Sequence, residues 1–281
     1  MYRVFSAKAA IPKSLLLATT VMVRMIGIKE KGTMKKIIIA MAAIAAAFTM
    51  VSCNKEDNET MKTEVVMVNG HPAVDMGDGL LWATCNIGAE SETDYGTYFS
   101  WGETSAKARY FQNDYKFGTL DPKAPDDYGM QKYNTQDNLT RLLPEDDAAT
   151  SQWGESWRTP TSDEFRRLLD PASYEVKWTS RNGKDGKAIY GLEITNNQSK
   201  NCIFLPAAGR INQKKPESQG EMLAYWSSSL PREGSAYYDA PTRRTLPCYA
   251  DILAFTDDEA CVFQLFRYVG LSIRPVAQPI Q

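Results

Sequence analysis

The sequence predicts an α+β fold: antiparallel strands, one or two short helices and long loops. Three observations predict it. Short runs rich in Val, Ile, Tyr and Trp recur between residues 64 and 276, set apart by pairs such as Asn69-Gly70, Asn182-Gly183 and Asn196-Asn197. Only the stretch after Thr159-Pro160 carries a clear helix start signal. The strand runs do not alternate with helical ones, as they would in a parallel βαβ sheet.

Taken in order, residues 64–68 form a first strand, closed by a turn at Asn69-Gly70, and a second strand surrounds residues 80–83. Residues 86–150 show little periodicity and many Gly, Asp, Asn, Tyr and Pro. So long an irregular span is either functional or held down by its own aromatic side chains. Asp146-Asp147 ahead of Ala148-Ala149 reads as the start of a short helix, where negative charge is favoured; the sharper alternative is an oxygen-ligand calcium site. In the helix after Pro160, Thr161 caps the amide of Glu164 while Glu164 reaches back, and Phe165, Leu168 and Leu169 share one face. A three-stranded meander follows over 174–205, with strands at 174–179, 188–195 and 201–205. Further strands are expected at 224–228, 236–239, 249–255, 261–266 and 272–276. Trp157, Phe204 and Trp226 are expected in one core, because rings of this size bury large apolar areas. Arg158 and Arg274 sit among apolar residues and read as structural hydrogen-bonding or ion-pairing groups.

Charge is distributed unevenly. Of 32 basic and 34 acidic side chains, residues 1–52 hold eight basic and one acidic, which leaves 24 and 33, a net of −9, for residues 53–281. That balance, without any run of Lys or Arg, argues against nucleic acid as a partner. His71 is the only histidine, so two-His metal sites are excluded and any His-dependent triad would rest on it. No CxxC is present. Cys85, Cys202, Cys248 and Cys261 allow three pairings into two disulfides, or remain as buried thiols beside apolar neighbours.

The N-terminal region reads as an address. Lys35 and Lys36 precede a run over 37–51 that is apolar except for Thr49, followed by Ser52-Cys53 and the acidic stretch Glu56-Asp57-Asn58-Glu59. This order is that of a secretory signal, and the run is short for a membrane span. Met50-Val51-Ser52-Cys53 resembles a bacterial lipobox, in which Cys53 becomes the lipidated N-terminus; a plain signal peptide with an incidental Cys is the alternative. The chain therefore divides into an upstream extension (1–33), a lipoprotein signal peptide (34–52), an acidic tether (53–63) and a single domain (64–281). The expected location is the outer membrane, lipid-anchored and exposed at the cell surface.

A series of ordered motifs carries a family resemblance. They are Gly79-Leu80-Leu81-Trp82-Ala83-Thr84-Cys85-Asn86-Ile87-Gly88-Ala89, Tyr98-Phe99-Ser100-Trp101-Gly102-Glu103-Thr104, Asp146-Asp147-Ala148-Ala149, Trp157-Arg158-Thr159-Pro160-Thr161 with Glu164-Phe165, Phe204-Leu205-Pro206-Ala207-Ala208-Gly209, Tyr225-Trp226-Ser227-Ser228-Ser229, and Gly270-Leu271-Ser272-Ile273-Arg274-Pro275-Val276. Together they resemble the Fibrobacter succinogenes major paralogous domain family of exported lipoproteins, over about residues 65–277. The resemblance implies a C-type-lectin-like fold, distantly similar to formylglycine-generating enzymes, and carries no established catalytic residues.

The residues themselves give little sign of catalysis. Cys248 and Cys261 lie in unrelated surroundings, and Ser227-Ser228-Ser229 lacks a GxSxG frame. The Glu-Pro-Asn, Gln-Pro-Asp and Trp-Asn-Asp strings of calcium-dependent sugar sites are missing. The expectation is a non-catalytic binding or adhesion module for glycan or protein ligands, without a cofactor unless calcium is one. Its face would be built from the 92–135 segment by Tyr95, Tyr98, Trp101, Glu103, Tyr110, Tyr115 and Tyr128, with Phe111 and Tyr133 beside them, since Tyr-rich loops with small polar residues suit recognition. The competing reading is that these aromatics pin the loop. A structural subunit of a surface assembly, and an enzyme, are the alternative functions.

Overall fold

The computed structural model describes residues 63–118, 129–232, 238–239, 244–245, 248–256 and 259–279. In chain order its strands are β1 (Val65–Val68), β2 (His71–Asp75), β3 (Leu81–Ala83), β4 (Trp157–Arg158), β5 (Tyr174–Asn182), β6 (Ala188–Asn196), β7 (Cys202–Pro206), β8 (Arg210–Ile211), β9 (Pro216–Glu217), β10 (Leu223–Trp226), β11 (Tyr238–Asp239), β12 (Arg244–Thr245), β13 (Tyr249–Thr256), β14 (Glu259–Phe266) and β15 (Val276–Ala277). Helix α1 (Ala148–Trp153) precedes β4 and α2 (Ser162–Leu168) follows it. The strands of every sheet pair antiparallel, and the fold is α+β and rich in sheet.

Asn69 and Gly70 close the β1–β2 hairpin at φ 45° and 80°. A two-residue loop with both central residues at positive φ matches the twist of the strands, and Asn-Gly reaches that conformation at least cost. The first sheet runs β1-β2-β3-β15-β4, so the C-terminal strand lies between two strands from the first half of the domain. A second sheet is the β5-β6-β7 meander and a third is β10-β13-β14; β8–β9 and β11–β12 are two-stranded ribbons.

The buried apolar residues form two large clusters and a small third one of Tyr98, Tyr110, Ala208 and Ile211. The first large cluster contains Trp101, Trp157, Trp226 and Leu271; the second contains Trp82, Phe165, Leu192, Tyr225 and Leu253. The capping box forms as its residues dictate: Thr161 Oγ1 accepts from the Glu164 amide at 3.2 Å, and Glu164 Oε2 accepts from the Thr161 amide at 2.7 Å. It fixes the direction of α2, which buries Phe165 and Leu168, each stabilising by about 1.5–3 kcal/mol. Asp147 caps α1 by accepting from the Ala149 amide.

Two expectations change. Phe204 is fully buried but lies outside the Trp157–Trp226 cluster. On β7 side chains alternate, so Ile203 and Leu205 enter the second cluster while Phe204 turns to the opposite face, beneath the Arg181 guanidinium at 4.9 Å. The strand expected at 272–276 shrinks to β15. Ser272 makes only a bridge to Tyr225, because the chain here serves Arg274, whose buried guanidinium donates to Asn86 Oδ1 and to the carbonyls of Ala83, Thr84 and Phe204. Strand β2 was not legible as a strand, because Pro72 at its second position argues against one.

Candidate functional site

The aromatic residues of the long segment do not form a face. Trp101 is 1 % exposed, Tyr110 2 %, Tyr115 6 %, Tyr98 8 % and Glu103 9 %, while Tyr95 is half-buried. Tyr128 and Cys53 lie outside the described residues. A ring so covered has no surface to offer a ligand, so the expectation of a face built on these side chains is corrected to the pinning role. The physical reason is that each polar tip has an internal partner. Tyr98 donates to the Ala208 carbonyl, Tyr110 to the Tyr98 carbonyl at 2.6 Å, Tyr115 to the Trp101 carbonyl at 2.8 Å, and Trp101 Nε1 to the Ser227 carbonyl at 2.8 Å. Burial pushes the Tyr98 phenol up to about 12. Glu103 accepts from Lys107 Nζ at 2.8 Å and from the Lys116 amide at 2.9 Å. From the far side, buried Arg267 donates to the Tyr133 carbonyl at 2.8 Å and stacks over Trp101 at 4.8 Å.

Asp146 is consumed in the same way. Lys116, Lys132 and Tyr133 all donate to its carboxylate. Burial opposes its ionisation, but these hydrogen bonds outweigh that and hold its pKa below the usual value. Asp147 accepts from the Ala149 amide and from both the amide and hydroxyl of Thr159. Among the described residues no three His, Cys, Asp or Glu side chains converge as a metal site.

What the 92–135 segment does build is one wall of a cleft of about 450 Å³. Its lining is His71, Ile87, Gly88, Thr97, Phe99, Ser105, Ala106, Gln152 and Trp153. The floor begins at the β1–β2 hairpin. Asn69 donates to the Trp153 carbonyl, and Trp157 Nε1 donates to the Val68 carbonyl at 3.1 Å, which clamps the hairpin onto the end of α1 and onto β4. Gly154 permits that approach: a Cβ there would meet Asn69 Nδ2 at 2.7 Å. The His71 ring consequently lies flat on Trp153, with centroids 3.9 Å apart and planes 11° from parallel, and Trp157 packs edge-on against both. Burial lowers the His71 pKa, which keeps the imidazole neutral at pH 7. The opposite wall is fixed by backbone bonds, Thr97 N to Ile87 O at 2.8 Å and Phe99 N to Leu271 O at 2.9 Å, and by Trp226 Nε1 donating to the Phe99 carbonyl at 2.7 Å. Gln152 Nε2 donates to the Thr104 carbonyl at 2.9 Å and ties α1 to the Ser105 rim.

A second concavity, a groove of about 680 Å³, lies along α2 and is lined by Gly77, Asp78, Asp163, Arg166, Arg167, Asp170, Ala172, Ser173, Tyr174, Asn196 and Gln198. Its polar groups are largely engaged. Arg166 pairs with Asp163 at 2.9 Å, Asp78 accepts from Trp82 Nε1 at 3.2 Å, Asp170 accepts from the Ala172 amide and the Ser173 hydroxyl, and Tyr174 donates to the Met76 carbonyl. Burial raises the Asp78 pKa. Behind α2, Arg158 holds Glu164 through two bonds of 2.6 and 2.7 Å.

The serines at 227–229 are structural. Ser227 Oγ donates to the Asp251 carbonyl at 2.8 Å, and Ser229 Oγ accepts from the Ser162 amide at 3.2 Å. All four described cysteines are free thiols; Cys248 is buried, which pushes its pKa up to about 11, and Cys85, Cys202 and Cys261 are half-buried.

The fold and the two concavities thus define a sheet-rich α+β domain with one neutral and one charged recess. No protein-family model, curated protein or solved structure matches the chain.

Proposed function

We propose that the protein is a lipid-anchored cell-surface binding or adhesion module, acylated at Cys53, whose ligand enters the cleft at His71 and Trp153. The observation that supports this reading is the lining of that cleft. Hydroxyl, amide and imidazole groups line one recess together with apolar residues, which is the usual composition of a small-ligand site. The ordered motifs and the sheet-rich α+β architecture are in keeping with a C-type-lectin-like fold, and the basic-apolar-Ser52-Cys53 order supports export and outer-membrane anchoring. The tyrosines of the same long segment are absent from the lining, so the segment contributes to recognition through Thr97, Ser105 and Ala106.

Two measurements test this. Mass spectrometry of the detergent-extracted protein is expected to show an acylated Cys53 at the N-terminus, and an unmodified Cys53 contradicts the anchor. Glycan-array and surface-protein pull-down with the full chain are expected to return a selective ligand whose binding is reduced by Gln152→Ala. Binding that this substitution leaves unchanged, and that Arg167→Ala reduces, moves the site to the charged groove.

A further inference from the structure

We infer that the cleft at His71 and Trp153 takes an uncharged sugar residue without a metal, its hydroxyls on Thr97, Ser105, Gln152 and His71 and its C–H groups against Ala106 at the rim. This rests on the cleft being the ligand site and commits it to one chemical class.

Charge is the first discriminator. None of the nine lining residues is Asp, Glu, Lys or Arg. A ligand bringing an ionised group into the cleft would lose hydration and gain no ionic partner, a heavy cost. The imidazole does not change this at neutral pH, because burial favours its uncharged form. Polarity is the second. A wholly apolar ligand would cover two hydroxyls, an amide and an imidazole without satisfying them, and sites built this way reject such ligands strongly.

The pattern of donors and acceptors narrows the class further. Thr97 and Ser105 hydroxyls both donate and accept. Gln152 has its Nε2 on the Thr104 carbonyl, which leaves Oε1 as an acceptor. A neutral imidazole offers one donor and one acceptor. The His71 side chain makes ring contacts with Trp153 and Trp157 and no hydrogen bond among the described residues. Trp153 covers one face of the ring. Sugar hydroxyls are donors and acceptors at once and match every one of these groups. A sugar ring also has apolar C–H groups, which suit the exposed Ala106 methyl at the rim. The cleft volume falls in the range of about 300–1,000 Å³ found for small-molecule sites, enough for a chain end. The hairpin clamp fixes the floor beforehand, so little ordering is needed on binding.

The test uses the full chain in detergent at pH 7.5 with a chelator present. Methyl glycosides of glucose, galactose and mannose are compared with those of glucuronate and glucosamine, by saturation-transfer NMR and calorimetry. At least one neutral glycoside is expected to bind, with the charged sugars about tenfold or more weaker. Ser105→Trp fills the rim from an exposed position, so it is expected to abolish binding with an unchanged melting temperature. Should Ser105→Trp destabilise the chain, Gln152→Ala replaces it and is expected to weaken binding several-fold. Charged sugars binding better than neutral glycosides, in a manner Ser105→Trp abolishes, overturns the ligand class while keeping the site. Neutral-sugar binding indifferent to both substitutions overturns the site as well. Failure of all three neutral glycosides up to their solubility limits overturns the inference.

Discussion

The two recesses of this domain differ in how their polar groups are used. Along α2, the groove carries Asp78, Asp163, Asp170, Arg166 and Arg167, but these charges are mostly spent on one another, on Trp82 and on nearby backbone. At the β1–β2 hairpin, the cleft carries no charge, and its imidazole lies flat on Trp153, whose carbonyl Asn69 ties to the hairpin. A ligand entering the groove would have to displace existing ion pairs and hydrogen bonds. One entering the cleft would not. Charge density alone is therefore a poor guide to where this surface binds.

Substitutions separate the two regions, and the largest effect lies in the core beneath the cleft. Trp226 supports the cleft through the Phe99 carbonyl and is fully buried. Trp226→Ala is expected to cost about 3–5 kcal/mol in urea unfolding. An unchanged midpoint would mean that Trp226 does not support the fold beneath the cleft. Arg158→Ala comes next. It removes the bidentate partner of Glu164 and should cost about 1.5–3 kcal/mol, loosening α2 and the groove. Binding at the cleft should survive it under conditions where the chain stays folded, and equal loss at both places would join what the structure keeps apart.

Titration distinguishes them again. The folded pKa of His71 is depressed below the unfolded value of about 6.5. The unfolded chain therefore takes up this proton more readily. His71 leaves stability unaffected above pH 7, and stability falls as pH drops through 6.5 toward the depressed folded pKa. Burial works against ionisation of Glu164, yet the bonds from Arg158 and the Thr161 amide hold its pKa below the usual carboxylate value. Its contribution is present above pH 4–5 (roughly the unfolded range) and is lost as pH falls through the folded pKa. Melting curves between pH 7.5 and 5 should lose their slope in His71→Phe and keep it in Arg158→Ala. The smallest expected effect is at Arg167, exposed and 3.9 Å from Glu164: Arg167→Ala should change stability by no more than about 0.5 kcal/mol and leave cleft binding intact.

Local signals in the sequence carried most of the elements. Asn69-Gly70 gave the hairpin turn, Thr161 and Glu164 the cap of α2, and the meander strands differ from expectation only at their ends. What remained hidden depended on contacts distant in sequence. Tyr98, Trp101 and Tyr115 looked like a recognition surface because composition does not reveal that backbone carbonyls at 208, 227 and 101 wait for their polar tips. The cleft itself joins residues from 71 to 153, and its only separate mark in the sequence was His71, singled out there as the lone histidine. An Asn-Gly turn that places a histidine immediately after it, ahead of a strand, is the signal that would have drawn attention to this position.

The six tryptophans allow the comparison to be read directly. Trp153 lines the neutral cleft, while Trp82 Nε1 sits on Asp78 in the charged groove. Indole N–H resonances followed by two-dimensional NMR, as a neutral methyl glycoside is added to the full chain, report each recess separately. A saturable shift of the Trp153 signal with Trp82 unmoved is the predicted result. A shift of Trp82 with Trp153 unmoved would place the ligand in the groove and contradict the assignment of the cleft.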